Sequence, residues 1–310
     1  VCFSVLALSC KKSREVPMSN GTWRAVIELG DNQELPFNFE LIGSTDSLMI
    51  TIANAEERIE TDRVQVNGDS VKILLPVFEG YIQAAYTANT MQGLFVKESL
   101  DKRMPFHAVF GVEERFMTEK EPQFNASGIW ETTFSPGTDS SYLAKGVFYQ
   151  SNGILTGTFR TKTGDYRYLE GIVEGNDLKL SAFDGSHAFL FTAQKKDSIL
   201  AGMFYSDDHW IEPFVAKRNE AFELPDSNTL TYLKDGYDTF DFSFPDADGN
   251  TISLQNEVFQ NKVVLVQVMG TWCPNCLDET KFYVDYLNQH PNEDVKVIAL
   301  AFEYAKTEEK

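Results

Sequence analysis

One pattern occurs twice in this chain, and it constrains the first two thirds of the molecule more than anything else. Gly21-Thr22-Trp23 recurs as Gly128-Ile129-Trp130, 107 residues later. VNGDSVKILLPVFEG (66–80) parallels VEGNDLKLSAFDG (173–185), GLFV (93–96) parallels GMFY (202–205), and Pro105-Phe106 echoes Pro213-Phe214. A self-similar period of this size marks a duplicated unit. Within each copy the residues alternate: Leu35, Phe37, Phe39 and Leu41 point one way, Pro36, Asn38 and Glu40 the other. That is the period of a half-buried strand. Turn dipeptides punctuate it at short intervals, among them Asn67-Gly68, Asn152-Gly153, Gly164-Asp165, Gly175-Asn176 and Asp184-Gly185. Many short strands with such turns predict an all-β barrel or sandwich over residues 20–118 and again over 119–219. Whether each copy closes alone or both share one larger barrel is left open by the pattern.

With 24 Phe and 12 Tyr in 310 residues, the chain has ample apolar material for such cores. Its net charge of −19 argues against nucleic acid or anionic membrane surfaces as partners. The Gly-x-Trp opening resembles the first strand of lipocalin-like barrels, in which the Trp closes one end. The module is therefore read as a ligand cup, a client-docking surface or a spacer. His107, His187 and His209 stand alone, without metal-ligand spacing, and Asp207-Asp208-His209-Trp210 reads as a hairpin turn. Residues 220–238, with Pro225, Asp226, Ser227, Asn228 and Gly236, read as a linker. DADGN (246–250) reads as the turn of a hairpin.

A second kind of pattern begins at Val263. Val263–Met269 is apolar except for Gln267, as in a strand covered on both faces. Gly270 and Thr271 turn the chain into Trp272-Cys273-Pro274-Asn275-Cys276, after which Cys276, Thr280, Tyr283, Val284 and Leu287 share one helical face. A Cys-x-x-Cys thus lies where a strand gives way to a helix. Unpaired amides and the positive end of the helix dipole stabilise a thiolate there. Pro274 suits the first helical position, its missing N–H having no partner in any case. Cys273, at the mouth, is the expected nucleophile, and Cys276, one turn in, the resolving thiol. A zinc site would need two more ligands, and His290 is the single downstream histidine.

GTWCPNC, with FDFSFPDADGNTISL before it, resembles the TlpA/ResA-like thiol-disulfide oxidoreductases of bacterial envelopes, over residues 239–310. The resemblance implies a thioredoxin-like fold following the β module, no cofactor beyond a redox-active Cys273–Cys276 disulfide, and Glu279 as the acid that tunes the thiols. It implies Trp272 as a wall of the site and Pro274 as the shaper of the helix start. Proline stands first between the cysteines, where the family's common form has it second, so a redox potential does not carry over. VKVIALAF (295–302) is a second expected strand and residues 304–310 the start of a helix. A thioredoxin-like sheet needs further strands and a cis-proline loop, so the chain is expected to be part of a longer protein and weakly active by itself.

Residues 1–10 resemble the end of a signal peptide, with Ala7-Leu8-Ser9-Cys10 like a bacterial lipobox and Cys10 the lipidated residue. Residues 11–19 would then be a tether. The resulting expectation is a lipid-anchored, periplasm-facing oxidoreductase acting on protein or small-molecule disulfides and re-reduced by a membrane electron donor. The competing expectation is a β-barrel binding lipoprotein carrying a redox-inert domain. A peroxidase-like redoxin ranks behind both, because such proteins usually place a peroxidatic cysteine without this CxxC.

Overall fold

The structure is a computed structural model that describes residues 16–76, 80–98, 101–270, 272–291 and 294–302. The lipobox expected at Cys10 and the helix expected from residue 304 lie outside the described residues. The first copy supplies β1 (Gly21–Glu28), β2 (Glu34–Ser44), β3 (Ser47–Asn54), β4 (Glu57–Thr61) and β5 (Val64–Asn67). It continues with β6 (Ser70–Leu74), β7 (Gly80–Tyr86), β8 (Thr90–Lys97) and β9 (Lys102–Phe110). These form one antiparallel meander in which β9 returns to pair with β1, leaving β4 and β5 at the two edges. Only Asp62 and Arg63 separate β4 from β5, and β5 approaches β3. The sheet is therefore a nearly closed barrel of eight staves, the fourth broken where it switches partners from β3 to β6.

The second copy runs β10 (Gly128–Phe134), β11 (Tyr142–Ser151), β12 (Ile154–Arg160), β13 (Leu169–Glu174) and β14 (Asp177–Phe183), then β15 (Ala188–Lys196), β16 (Ile199–Ser206) and β17 (Trp210–Arg218). It is a closed up-and-down barrel, β17 pairing with β10. The question the repeat left open is thus answered: each copy makes its own sheet. The two tryptophans of the repeat do the same work. Trp23 and Trp130 are buried, and each indole N–H donates to the carbonyl four residues upstream, Ser19 at 3.0 Å and Ala126 at 2.8 Å. Gly93 and Gly202 also correspond: a Cβ at either would collide with the carbonyl of the neighbouring strand, Gln83 or Thr192.

The second barrel's interior is filled. Phe134, Phe159, Phe191, Phe204 and Phe214 pack together with centroid separations of 4.4 to 6.3 Å. Such a lumen is a core and leaves no ligand cup inside the second barrel. The barrels are also welded to each other. Phe183, Leu190 and Tyr205, from the second, join the apolar core of the first, with Phe183 4.5 Å from Phe37 and 5.0 Å from Phe95. The buried Asn54 amide pairs with both backbone groups of Phe183, at 2.9 and 3.2 Å, as a strand would. Arg115, on the segment between the barrels, donates to Ala53 of the first and to Ser181 of the second. The turn at Asp207-Asp208 adds ion pairs to Lys97 (2.8 Å) and Lys102 (3.0 Å) of β8 and β9.

Residues 225–241 are exposed throughout, including Leu230 and Leu233, which pack against nothing that buries them. Beyond them β18 (Ser243–Pro245) and β19 (Thr251–Ser253) form a hairpin. Its turn is closed by Asp246 Oδ1, which accepts the amides of Asp248 and Asn250. β20 (Val263–Met269) then pairs in parallel with β21 (Val295–Ala301), and α1 (Pro274–Gln289) connects them. β20 was expected to be covered on both faces, yet Val263, Leu265 and Val268 are exposed, and so is Val284 of the helical stripe. One helix on two paired strands covers too little of the sheet to bury them among the described residues.

Candidate active site

β20 delivers the chain to Gly270, whose position is closed over by the Trp272 ring, so that a Cβ there would strike the indole. Trp272 Nε1–H donates to the carbonyl of Phe302 (3.0 Å), pinning the site to the end of β21. Cys273 is the N-cap of α1 and Pro274 its buried first residue. Cys273 and Cys276 are joined in a disulfide with Cα atoms 5.2 Å apart, and both are half-buried. The amide of Cys276 donates to Cys273 Sγ at 3.2 Å. No acidic residue occupies the first turn to oppose a negative charge on that sulfur. In the reduced state a Cys273 thiolate in this place would be stabilised by the same amide and by the helix dipole.

Beneath the disulfide lies a residue to which the sequence reading gave no role. Gln267 is the single polar member of β20 and is buried, 6% exposed. Its amide donates to the Cys276 carbonyl (3.1 Å) and to Glu279 Oε2 (3.0 Å), and accepts from the Thr280 hydroxyl (3.0 Å). The other Glu279 oxygen accepts from Tyr283 OH at 2.6 Å, an interaction that raises the Tyr283 pKa. Glu279 is itself exposed, and both its oxygens are engaged as acceptors. One side chain thus couples the carboxylate to the backbone of the second cysteine. Its polarity in an apolar run was the available signal.

A second unforeseen residue comes from the other barrel. Arg167, between β12 and β13, donates through Nη1 to Asn275, the residue just before Cys276, and to Asp278 (3.0 Å). The same guanidinium meets Glu57 of β4 and lies 3.7 Å from Asp184. Nothing in the local sequence marks Arg167, since its partners are distant in the chain. His187 is held by Asp184 (3.0 Å) and His209 lies beside Asp208. Among the described residues no group of three or more His, Cys, Asp or Glu is arranged to hold a metal ion.

A parallel strand, a Trp-Cys-x-x-Cys turn and a helix capped by the first cysteine are the parts of a thioredoxin-like redox site, and residues 234–307 match the Redoxin family. This segment is a redoxin domain. No curated protein and no solved structure matches the chain. The redoxin domain carries thioredoxin-like redox function in general terms. It contains every candidate redox residue named from the sequence: Trp272, Cys273, Pro274, Cys276 and Glu279.

Proposed function

We propose that this protein is a TlpA/ResA-like thiol-disulfide oxidoreductase of the bacterial envelope. The observation that supports it most is the Cys273–Cys276 disulfide capping α1, with a backbone amide directed at Cys273. In the reduced enzyme the Cys273 thiolate attacks a substrate disulfide, forming a mixed disulfide and expelling one substrate thiolate. Cys276, deprotonated, then attacks Cys273 Sγ, closing the intramolecular disulfide and releasing the second substrate thiolate. Two electrons pass to the substrate, and a membrane electron donor restores the dithiol. Glu279, held by Gln267 and Tyr283, takes up the proton that Cys276 must lose.

The substrates are protein or small-molecule disulfides, and the chain is anchored through lipidated Cys10 on the periplasmic side. No helix among the described residues is long and apolar enough to cross a membrane. Labelling with a radioactive fatty acid checks it: the parent incorporates label and Cys10→Ala does not. The exchange chemistry is tested by trapping. Cys276→Ser should accumulate a mixed disulfide on Cys273 with a disulfide-bearing client, while Cys273→Ser should not. Equal trapping by both variants, or by neither, contradicts the assignment. The rival reading is a ligand- or client-binding β-barrel lipoprotein with a redox-inert domain; the phenylalanine-filled lumen of the second barrel opposes its small-ligand form in that barrel.

A further inference from the structure

The tether between the barrels and the redoxin domain is exposed at every residue from 225 to 233, so it fixes no orientation. The region around the helix start is also largely open. A cleft of about 490 Å³ lies on one side, between Thr156, Thr158 and Tyr168 of the second barrel and Asn275 and Asp278 of α1. Another of about 270 Å³ separates Ile59 and Pro76 from Pro274 and Leu277. Between these clefts stands the Arg167 side chain, 8% exposed, which touches all three parts of the molecule.

Arg167 is held ready for this contact. Its backbone is in the left-handed region (φ 62°), an uncommon place for a residue with a side chain, so local packing must hold it there. Glu57 and Asp184 fix the guanidinium from the barrel side, leaving Nη1 to face Asn275 and Asp278. Burial works against the charge, but Glu57, Asp184 and Asp278 outweigh it and raise the Arg167 pKa. The other charged groups lining these clefts are Glu56, Arg58, Glu60, Arg160 and Asp165, with Lys281 against Asp278 and the His187 ring against Asp184. One guanidinium therefore separates three carboxylates, which would repel one another without it.

We propose that Arg167 is a positioning residue of the CxxC site. Through Asn275 and Asp278 it seats the start of α1 on the barrels, so that Cys273 is presented beside the cleft of the second barrel. The proposal rests on the disulfide-exchange reading above and adds to it the surface against which a client must approach.

The test combines solution scattering with the pH profile of Cys273 alkylation in the reduced full chain. Arg167→Met and Asp278→Asn should both release the redoxin domain, adding long distances to the pair-distance distribution that the parent lacks. The two variants should shift the alkylation midpoint in opposite directions. Arg167→Met leaves Asp278 with Lys281, 3.9 Å away, in place of the guanidinium at 3.0 Å, which disfavours the thiolate and moves the midpoint up. Asp278→Asn removes that negative charge and moves it down. Arg167→Lys, which keeps the charge and loses the fork, should fall between Arg167→Met and the parent. Asp278 is half-exposed on the helix, so its variant reports even where Arg167→Met fails to fold. Scattering curves of Asp278→Asn that superimpose on the parent overturn the proposal while the exchange reading stands. A midpoint near about 8.5 in the parent and every variant, with scattering still responding, overturns the exchange reading and the redox role of the seat with it.

Discussion

At the scale of single residues, the site is organised by polar side chains whose burial fixes their partners. Gln267 is the clearest case, because its amide serves the Cys276 carbonyl, Glu279 and Thr280 at once. Replacing it by methionine keeps the volume and removes all three bonds. The redoxin domain should lose about 1–2 kcal/mol, read as a lower denaturant midpoint in Trp272 fluorescence; an unchanged midpoint would count against the network. Asp184 makes a pH-dependent prediction. Burial alone would raise its pKa, but His187, its backbone amide and Arg167 outweigh burial and hold it below the usual value. The stability it contributes is complete above the unfolded value of about 3.9 and is lost as pH falls through the lower folded value. Asp184→Asn should therefore flatten the decline of unfolding free energy below about pH 4. At pH 7 it should cost about 3 kcal/mol, the order expected when one partner of a buried ion pair is removed. An acid profile identical to the parent would contradict this.

At the scale of elements, much was legible in advance. The alternation at Leu35, Phe37, Phe39 and Leu41 does place all four in the core of β2, because one face of a curved sheet must be dry. The Gly-x-Trp repeat reported equivalent strands, since the same indole-to-carbonyl bond recurs in both barrels. What the sequence could not display were contacts between elements far apart in the chain. Phe183 reads as an ordinary strand residue of the second barrel, and only the structure shows it inserted beside Phe37 and Phe95. Asn54, the last residue of β3, carries no local sign of its role, although its amide completes the backbone pairing of Phe183. Its Ala variant should lose about 1–3 kcal/mol, because both backbone groups are left unpaired in a dry place. Phe183→Ala should cost about 3–5 kcal/mol. Both losses should appear in one cooperative transition involving both barrels; if the parent's barrels melt separately, the weld is refuted.

At the scale of the whole molecule, two barrels share an apolar core and are followed by a redoxin domain on an exposed tether. The lumen of the second barrel is filled, and Arg167 is where that barrel and the redox helix meet. What sets the chemistry remains local: a sulfur at the N-cap of α1, a proline inside the first turn, and a second sulfur within disulfide reach. Rapid alkylation of the reduced protein across pH, with mass spectrometry to locate the label, tests this most directly. Cys273 should be modified first, with a midpoint in the range of roughly 3.5–7.5 found for thiols in such cradles. A midpoint near about 8.5, or Cys276 reacting as fast as Cys273, would contradict the account.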